Sequence, residues 1–322
     1  MCIRDSWRSD VHVSDTSPAS RIDDWNETIM GKLSQVGEFA REVNAVAVLD
    51  GGDFFHVKSP GRNAHKTIQR VAQVHKDYPC PVYANVGNHD CKYGDYNHLP
   101  EQPLGVLFET GVFQRCYDEH EVVFERDGVT VRVVGIPYHG TEYEWDRFTS
   151  IKKGKEDYLV VMAHFLASKE GGTMFEGEDI IKYNDLKDLD PDVWCFGHWH
   201  KNQGITEIAD GKWVVNIGSL SRGALSQDEV KRIPAACVME FTEKGIKLTE
   251  RPLKVGKPEE VFDLVGRVRK ESKEMTMTTF VTKIKESLAE ESRLPIEDII
   301  RNLKGLPEEV RERGLYYWEQ EG

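Results

Sequence analysis

Residues 45–53 read AVAVLDGGD and residues 82–90 read VYANVGNHD. Each is a short apolar run that meets glycine and then delivers a polar side chain: Asp53 in the first, Asn88, His89 and Asp90 in the second. A parallel strand buried on both faces reads as such a continuous apolar run. Ahead of the first, Trp25, Ile29, Leu33, Val36, Phe39, Ala40 and Val43 recur at helical spacing behind Asp23 or Asp24, either of which can cap. Residues 63–77 form a second helical stretch between the two runs. Helix, strand, helix, strand predicts parallel strands joined by crossover helices.

Further along, residues 121–125 and 129–134 flank Arg126-Asp127-Gly128, a hairpin signal because Asp-Gly accepts the positive φ that tight turns need. More strand-like runs follow at 158–163, 192–196, 212–217, 235–241 and 246–253, with few long helices among them. The expected fold is α/β: a four-layer α/β/β/α sandwich of two mixed sheets, with a C-terminal helical extension. After about residue 258 the strands stop, and 259–269, 278–290, 295–303 and 307–318 read as helices rich in Glu, Lys and Arg. This predicts a catalytic domain over 1–255 and a helical segment over 256–322, with the boundary near Val255.

The start of the chain breaks the pattern. Asp10-Val11-His12 looks like the end of a core strand, yet residues 1–8, MCIRDSWR, are polar and carry three charges. The expectation is a first strand that is missing and replaced by unrelated residues, or one that is short and unusually placed.

The chain has 322 residues, 39% of them hydrophobic and 30% charged, and no apolar run approaches the roughly 20 residues that cross a bilayer. A formal net charge of −13 excludes a surface coated for phosphate binding, since nonspecific nucleic-acid affinity comes mainly from Lys and Arg. Any grip on nucleic acid must be local. Cys2, Cys80, Cys91, Cys116, Cys195 and Cys237 show no paired spacing, and the N-terminus lacks a long apolar segment, so reduced thiols in a cytoplasmic protein are expected.

Five motifs fall where strands end: Asp10-Val11-His12, Gly52-Asp53, Gly87-Asn88-His89-Asp90, Ala163-His164 and Gly197-His198-Trp199-His200. Open α/β sheets place ligands at strand ends. Asp-x-His and His-x-His in extended backbone put both side chains on one side of the chain, since the strand period is two. Asp10, His12, Asp53, Asn88, His164, His198 and His200 can therefore reach one centre. All are nitrogen or oxygen donors, which suits manganese, iron or zinc in a catalytic rather than a cysteine-based structural site. Two ions about 3.5 to 4 Å apart can polarise a phosphoryl group and offset charge on the leaving oxygen. Gly51, Gly52, Gly87 and Gly197 let the chain turn sharply after each strand.

The ordered set DVH, GGD, GNHD, AH and GHWH resembles the calcineurin-like metallophosphoesterase superfamily, and Asn216-Ile217-Gly218-Ser219-Leu220 resembles its closing segment. The resemblance implies two divalent ions, manganese or else iron or zinc. Asp10, His12, Asp53 and His200 would hold one and Asp53, Asn88, His164 and His198 the other, with Asp53 bridging. It implies His89 beside the phosphate as proton donor to the leaving group. Within the superfamily, GGDFFH at 51–56 resembles the double-strand-break repair nucleases, the group of bacterial SbcD and the meiotic-recombination nuclease. There His56 would sit near His89 and help position the strand, and Asp90 completes the candidate catalytic set. DNA as substrate, an SMC-like ATPase partner bound through the C-terminal segment, and a homodimer follow from the same resemblance.

The rival activity is a phosphodiesterase or phosphatase for small molecules or phosphoproteins, which differs only in what borders the cleft. A run of cations, Lys58, Arg62, His65, Lys66 and Arg70, lies close after Asp53, and Lys201 and Arg222 lie near other candidate ligands. These are candidate phosphate contacts. Tyr138, Tyr143 and Trp145 are candidate stacking residues.

Overall fold

The computed structural model describes residues 3–57, 62–92, 95–171, 177–224 and 226–264, and beyond them only Glu308, Arg311, Glu312 and Leu315. Fourteen strands appear among these residues: β1 (Ile3–Arg8), β2 (Ala47–Asp50), β3 (Val82–Ala84), β4 (Gln114–Arg115), β5 (Val122–Arg126), β6 (Val129–Ile136), β7 (Tyr158–His164), β8 (Ala167–Ser168), β9 (Ile181–Lys182), β10 (Val193–Gly197), β11 (Gly204–Ala209), β12 (Lys212–Asn216), β13 (Ala235–Thr242) and β14 (Gly245–Pro252). They build two six-stranded sheets, in the orders β14-β13-β1-β2-β3-β4 and β11-β12-β10-β7-β6-β5, and a small β8-β9 pair. In the first sheet β1, β2, β3 and β4 run parallel, and β13 joins β1 antiparallel. In the second β6, β7, β10 and β12 run parallel, with β5 and β11 antiparallel at the edges. Both sheets are mixed, as expected.

The two inner faces share one apolar layer that includes Trp7, Leu49, Val133, Met162, Cys195 and Met239. Helices α1 (Trp25–Glu42) and α2 (His65–Lys76) cover the outer face of the first sheet; Asp24 caps α1 by accepting from the Glu27 amide. The outer face of the second sheet is covered more thinly, by Phe148, Phe165, Tyr183 and Leu186 packed on Trp194 and Phe196. β11, which pairs with β12, has no counterpart in the sequence reading.

The first strand corrects the sequence expectation. Ile3–Arg8 is a buried central strand, flanked by β13 and β2. Its charges have two different fates. Arg8 points to the helix side, where Nε donates to Asp50 Oδ2 at 2.7 Å, one terminal nitrogen donates to the Tyr78 hydroxyl at 2.7 Å, and the other meets His75 Nε2 at 2.9 Å. Asp5 shares the inter-sheet face with Ile3 and Trp7. Neither of its oxygens meets a hydrogen-bond partner; the Ala47 amide is near enough to act on it electrostatically but lies outside bonding geometry. Burial pushes this carboxyl up to about 8.

The compact first unit runs over Met1–Phe262; Val261 and Phe262 are buried and Arg21 bridges to Phe262. The second unit is Asp263–Gly322. The helices expected over 278–290 and 295–303, and most of those over 259–269 and 307–318, lie outside the described residues; Arg311 and Glu308 pair at 2.7 Å. Cys80, Cys91, Cys116, Cys195 and Cys237 are free thiols, and no helix among the described residues is long and apolar enough to cross a membrane.

Candidate active site

The parallel strands deliver every candidate ligand to one edge of the two sheets. Asp10 and His12 follow β1, Asp53 follows β2, Asn88 follows β3, His164 ends β7, and His198 and His200 follow β10. Asp10, His12, Asp53 and His198 have φ of 54°, 52°, 51° and 91°, a left-handed conformation that disfavours side-chain-bearing residues. Strain of this kind clusters where a site over-determines the backbone. Gly87 is required for space: a Cβ there would come within 2.1 Å of Asp53 Oδ1.

Three groups of donors converge, each with its ligand atoms within 4.8 Å of one another: Asp10, His12 and His200; Asp53, His164 and His198; and His12, His56 and His89. His12 Nε2 and His200 Nε2 face each other at 2.9 Å. Asp53 Oδ2 lies 3.4 Å from His164 Nε2 and 3.9 Å from His12 Nε2, between the first two groups. Asn88 Oδ1 stands 3.3 Å from His164 Nε2. His164 Nδ1 is set against the Gly51 carbonyl at 2.8 Å. The His198 amide donates to both Asp10 oxygens at 3.1 Å.

Electrostatics follow from this crowding. Burial and the adjacent His200 ring hold His12 well below the ordinary imidazole value. Burial alone would discharge His164, but the Asp53 carboxylate outweighs it and pushes the ring up to about 9. Burial likewise works against charge on Asp53, and the His164 ring with His12 and His89 overcomes it and holds the carboxyl well below its usual range. Two imidazole nitrogens facing one another beside a carboxylate form a donor set that suits divalent cations.

His89 and His56 lie side by side. Their rings stack with centroids 5.2 Å apart and planes 18° apart, and His89 Nδ1 donates to the His56 carbonyl at 2.7 Å. Asp90 sits elsewhere than a catalytic acid should. It is buried, and its carboxylate accepts from the amides of Phe54 (3.3 Å), Phe55 (3.1 Å) and Gly87 (3.0 Å). It therefore ties the loop of Asp53 to the loop of Asn88 without facing the cleft.

The remaining candidates divide. Arg222 is buried and spends its terminal nitrogens on the carbonyls of Val230, Arg232 and Gly256, so it is no phosphate contact. Lys201 is exposed. Arg70 pairs with Glu27 at 2.7 Å and His65 and Lys66 are exposed on α2; Lys58 lies outside the described residues. Arg62 lines a cleft of about 700 Å³ with His12, His56, His89, His200 and Trp25. Tyr138 packs its ring 5.3 Å from that of His198, and Trp145 stacks on Phe148. Tyr143 reaches a residue that no motif marked: its hydroxyl lies 2.9 Å from Glu178, whose carboxylate meets His198 Nε2 at 3.0 Å.

The family model for the calcineurin-like phosphoesterases matches residues 9–202, the span that carries all seven candidate ligands. The chain belongs to this family. As a calcineurin-like phosphoesterase it is 27% identical over 198 residues to the DNA double-strand break repair protein Mre11 of Archaeoglobus fulgidus, a match covering 58% of this chain and 43% of that protein. The chain thus matches less than half the length of that relative. Among solved structures, a dimetal phosphatase from Danio rerio superimposes with a TM-score of 0.52 at 11% identity, covering 78% of this chain and 96% of that one, and so shares the fold. The clustered His and Asp side chains are the residue types that the chemistry of this family uses.

Proposed function

We propose that this phosphoesterase hydrolyses phosphodiester bonds, with DNA as the substrate, at a two-metal centre. Asp10, His12, Asp53 and His200 would hold one ion and Asp53, Asn88, His164 and His198 the other, with manganese the preferred metal; Asp53 stands between both groups. When bound, such ions polarise the phosphoryl group and offset negative charge as the ester bond breaks. The chain supplies the rest. His56 fixes His89 twice, by ring stacking and by its carbonyl, and so keeps the His89 ring facing the cleft beside His12. A proton from that ring passes to the leaving oxygen. Asp90 acts one step removed, by holding the two loops that carry Asp53 and Asn88 in register.

The observation that carries the diester reading is the cleft. It is lined by Ser14, Pro18, Trp25 and Arg62 as well as by His12, His56, His89 and His200, and its volume of about 700 Å³ gives room for a second group esterified to the phosphate. A monoester has no such group to place. Similarity to Mre11 supports DNA, and residues 256–322 would serve as cap or as the binding segment for an ATPase. The acidic balance of −13 favours a second reading, a phosphodiesterase or phosphatase for smaller substrates, because it confines favourable contacts to the cleft itself.

Labelled linear duplex and single-stranded DNA, bis-p-nitrophenyl phosphate and p-nitrophenyl phosphate, each with manganese and with a His89→Ala control, separate these. Loss of DNA that requires manganese and falls by about 100-fold in the control is expected. Turnover of the small esters alone would assign the second reading.

A further inference from the structure

Glu178 lies outside every motif and yet is built into the metal-facing side of the molecule. Its side chain is 9% exposed, and Oε1 stands 3.0 Å from His198 Nε2. The same oxygen is 2.9 Å from the Tyr143 hydroxyl, and that hydroxyl accepts the Leu166 amide at 2.9 Å. The backbone around both residues is tied: Tyr143 donates its amide to Asp179 Oδ2 at 2.8 Å, and the Asp179 amide donates to the Thr141 carbonyl at 2.9 Å. Leu166 follows His164 by two residues, so the chain of contacts Leu166, Tyr143, Glu178, His198 connects the ends of β7 and β10, the two strands that carry His164 and His198.

Direction can be assigned from hydrogen-bond chemistry. The Leu166 amide can only donate to the Tyr143 oxygen, which leaves the tyrosine O–H to donate to Glu178. An ionised carboxylate accepts only, so the contact at 3.0 Å requires a proton on His198 Nε2. The ring is then the tautomer with its lone pair on Nδ1. A histidine that holds a metal through one nitrogen while donating the other N–H to a carboxylate is fixed in orientation and made more basic.

We infer that Glu178 is a positioning residue for the His198 side of the metal centre, setting the tautomer of His198 from the rear with Tyr143 as its own support. The inference rests on the two-metal reading above. Glu178 touches neither the cleft nor His12, His200 or His89, so its effect is confined to one of the two ions.

Calorimetric titration of the metal-free chain with manganese tests this in the unaltered protein, Glu178→Ala, Glu178→Gln and Tyr143→Phe. The unaltered chain should take up two ions. Glu178→Ala should weaken one of them by about 10- to 100-fold and leave the other alone. Glu178→Gln, which can still accept from Nε2–H, and Tyr143→Phe, which removes only the hydroxyl, should each fall between. Hydrolysis by Glu178→Ala should demand more manganese and recover at saturation, with the thermal midpoint of the metal-free chain near that of the parent. Two ions bound by Glu178→Ala at parental affinity would overturn the role, as would equal weakening of both together with a lowered midpoint, since that marks a structural part only. An unaltered chain that binds no manganese would instead remove the two-metal reading itself.

Discussion

Asp5 is the residue whose chemistry and place disagree most. It occupies the inter-sheet face between Ile3 and Trp7, fully buried and without a hydrogen-bond partner. Its carboxyl is pushed up to about 8 from 3.8 in the unfolded chain. A folded value above the unfolded one means that stability is greatest below about 4 and declines as pH rises toward 8, because only the unfolded chain gains from ionising. Asp5→Val, which suits a strand and an apolar layer, should raise the thermal midpoint, and its advantage should grow between pH 4 and pH 8 by on the order of 4 kcal/mol. A pH-independent difference between the two proteins would show that the carboxyl is solvated after all. Arg8 behaves oppositely. Arg8→Met strips the fully buried Asp50 of its partner and should cost about 3 to 5 kcal/mol in urea denaturation, whereas changing Arg8 and Asp50 together to apolar residues should cost much less. These two side chains also explain why the first strand was illegible. Charges in the sequence argued against it, and the groups that accommodate Arg8 stand 42, 67 and 70 residues away.

At the scale of elements, the segment Ser219 to Arg222 acts as a strap across the metal-facing loops. Its amides at Ser219, Leu220 and Ser221 donate to the carbonyls of His200, Ser9 and Asp10. Its own carbonyls are held by buried basic side chains: Arg232 on Ser219 and Ser221 at 2.6 Å each, Lys32 of α1 on Leu220 at 2.8 Å, and Arg21 on Arg222 at 2.8 Å. The sequence reading marked this stretch as a closing segment but took Arg222 for a phosphate contact, since nothing local shows that carbonyls would claim its donors. Arg232→Met should leave the buried Ser219 carbonyl and Glu229 without their donor, with Ser221 keeping only the Ser219 hydroxyl, and lower stability by about 3 kcal/mol. Activity should fall further than the fraction unfolded accounts for, because Asp10 and His200 lose a shared anchor. Comparing manganese-saturated turnover with the folded fraction by circular dichroism checks this, and parallel losses would confine the strap to stability.

Across the whole molecule, β2, β3, β7 and β10 were legible because each announces itself twice, by an apolar run and by a polar residue at or just beyond its carboxyl end. The antiparallel edge β11 was not: it is half-exposed on both faces and carries no motif. Assembled, these strands bring seven candidate ligands to one edge in a donor set that is uncomfortable by itself, with four of them at positive φ and two imidazole nitrogens 2.9 Å apart. Divalent ions that bind this arrangement and not the unfolded chain must stabilise it, by about 2.7 kcal/mol for each site filled at 100-fold above its dissociation constant. The thermal midpoint should therefore rise with manganese concentration and drop on addition of a chelator. His12→Ala or His200→Ala should retain part of that rise from the opposite site, and Asp53→Asn should lose nearly all of it, because Asp53 alone stands between both groups. A midpoint indifferent to manganese would mean that the convergence of these side chains is held by packing and protons, and that the two-metal reading fails. Scanning fluorimetry over a manganese series decides it before any substrate is chosen.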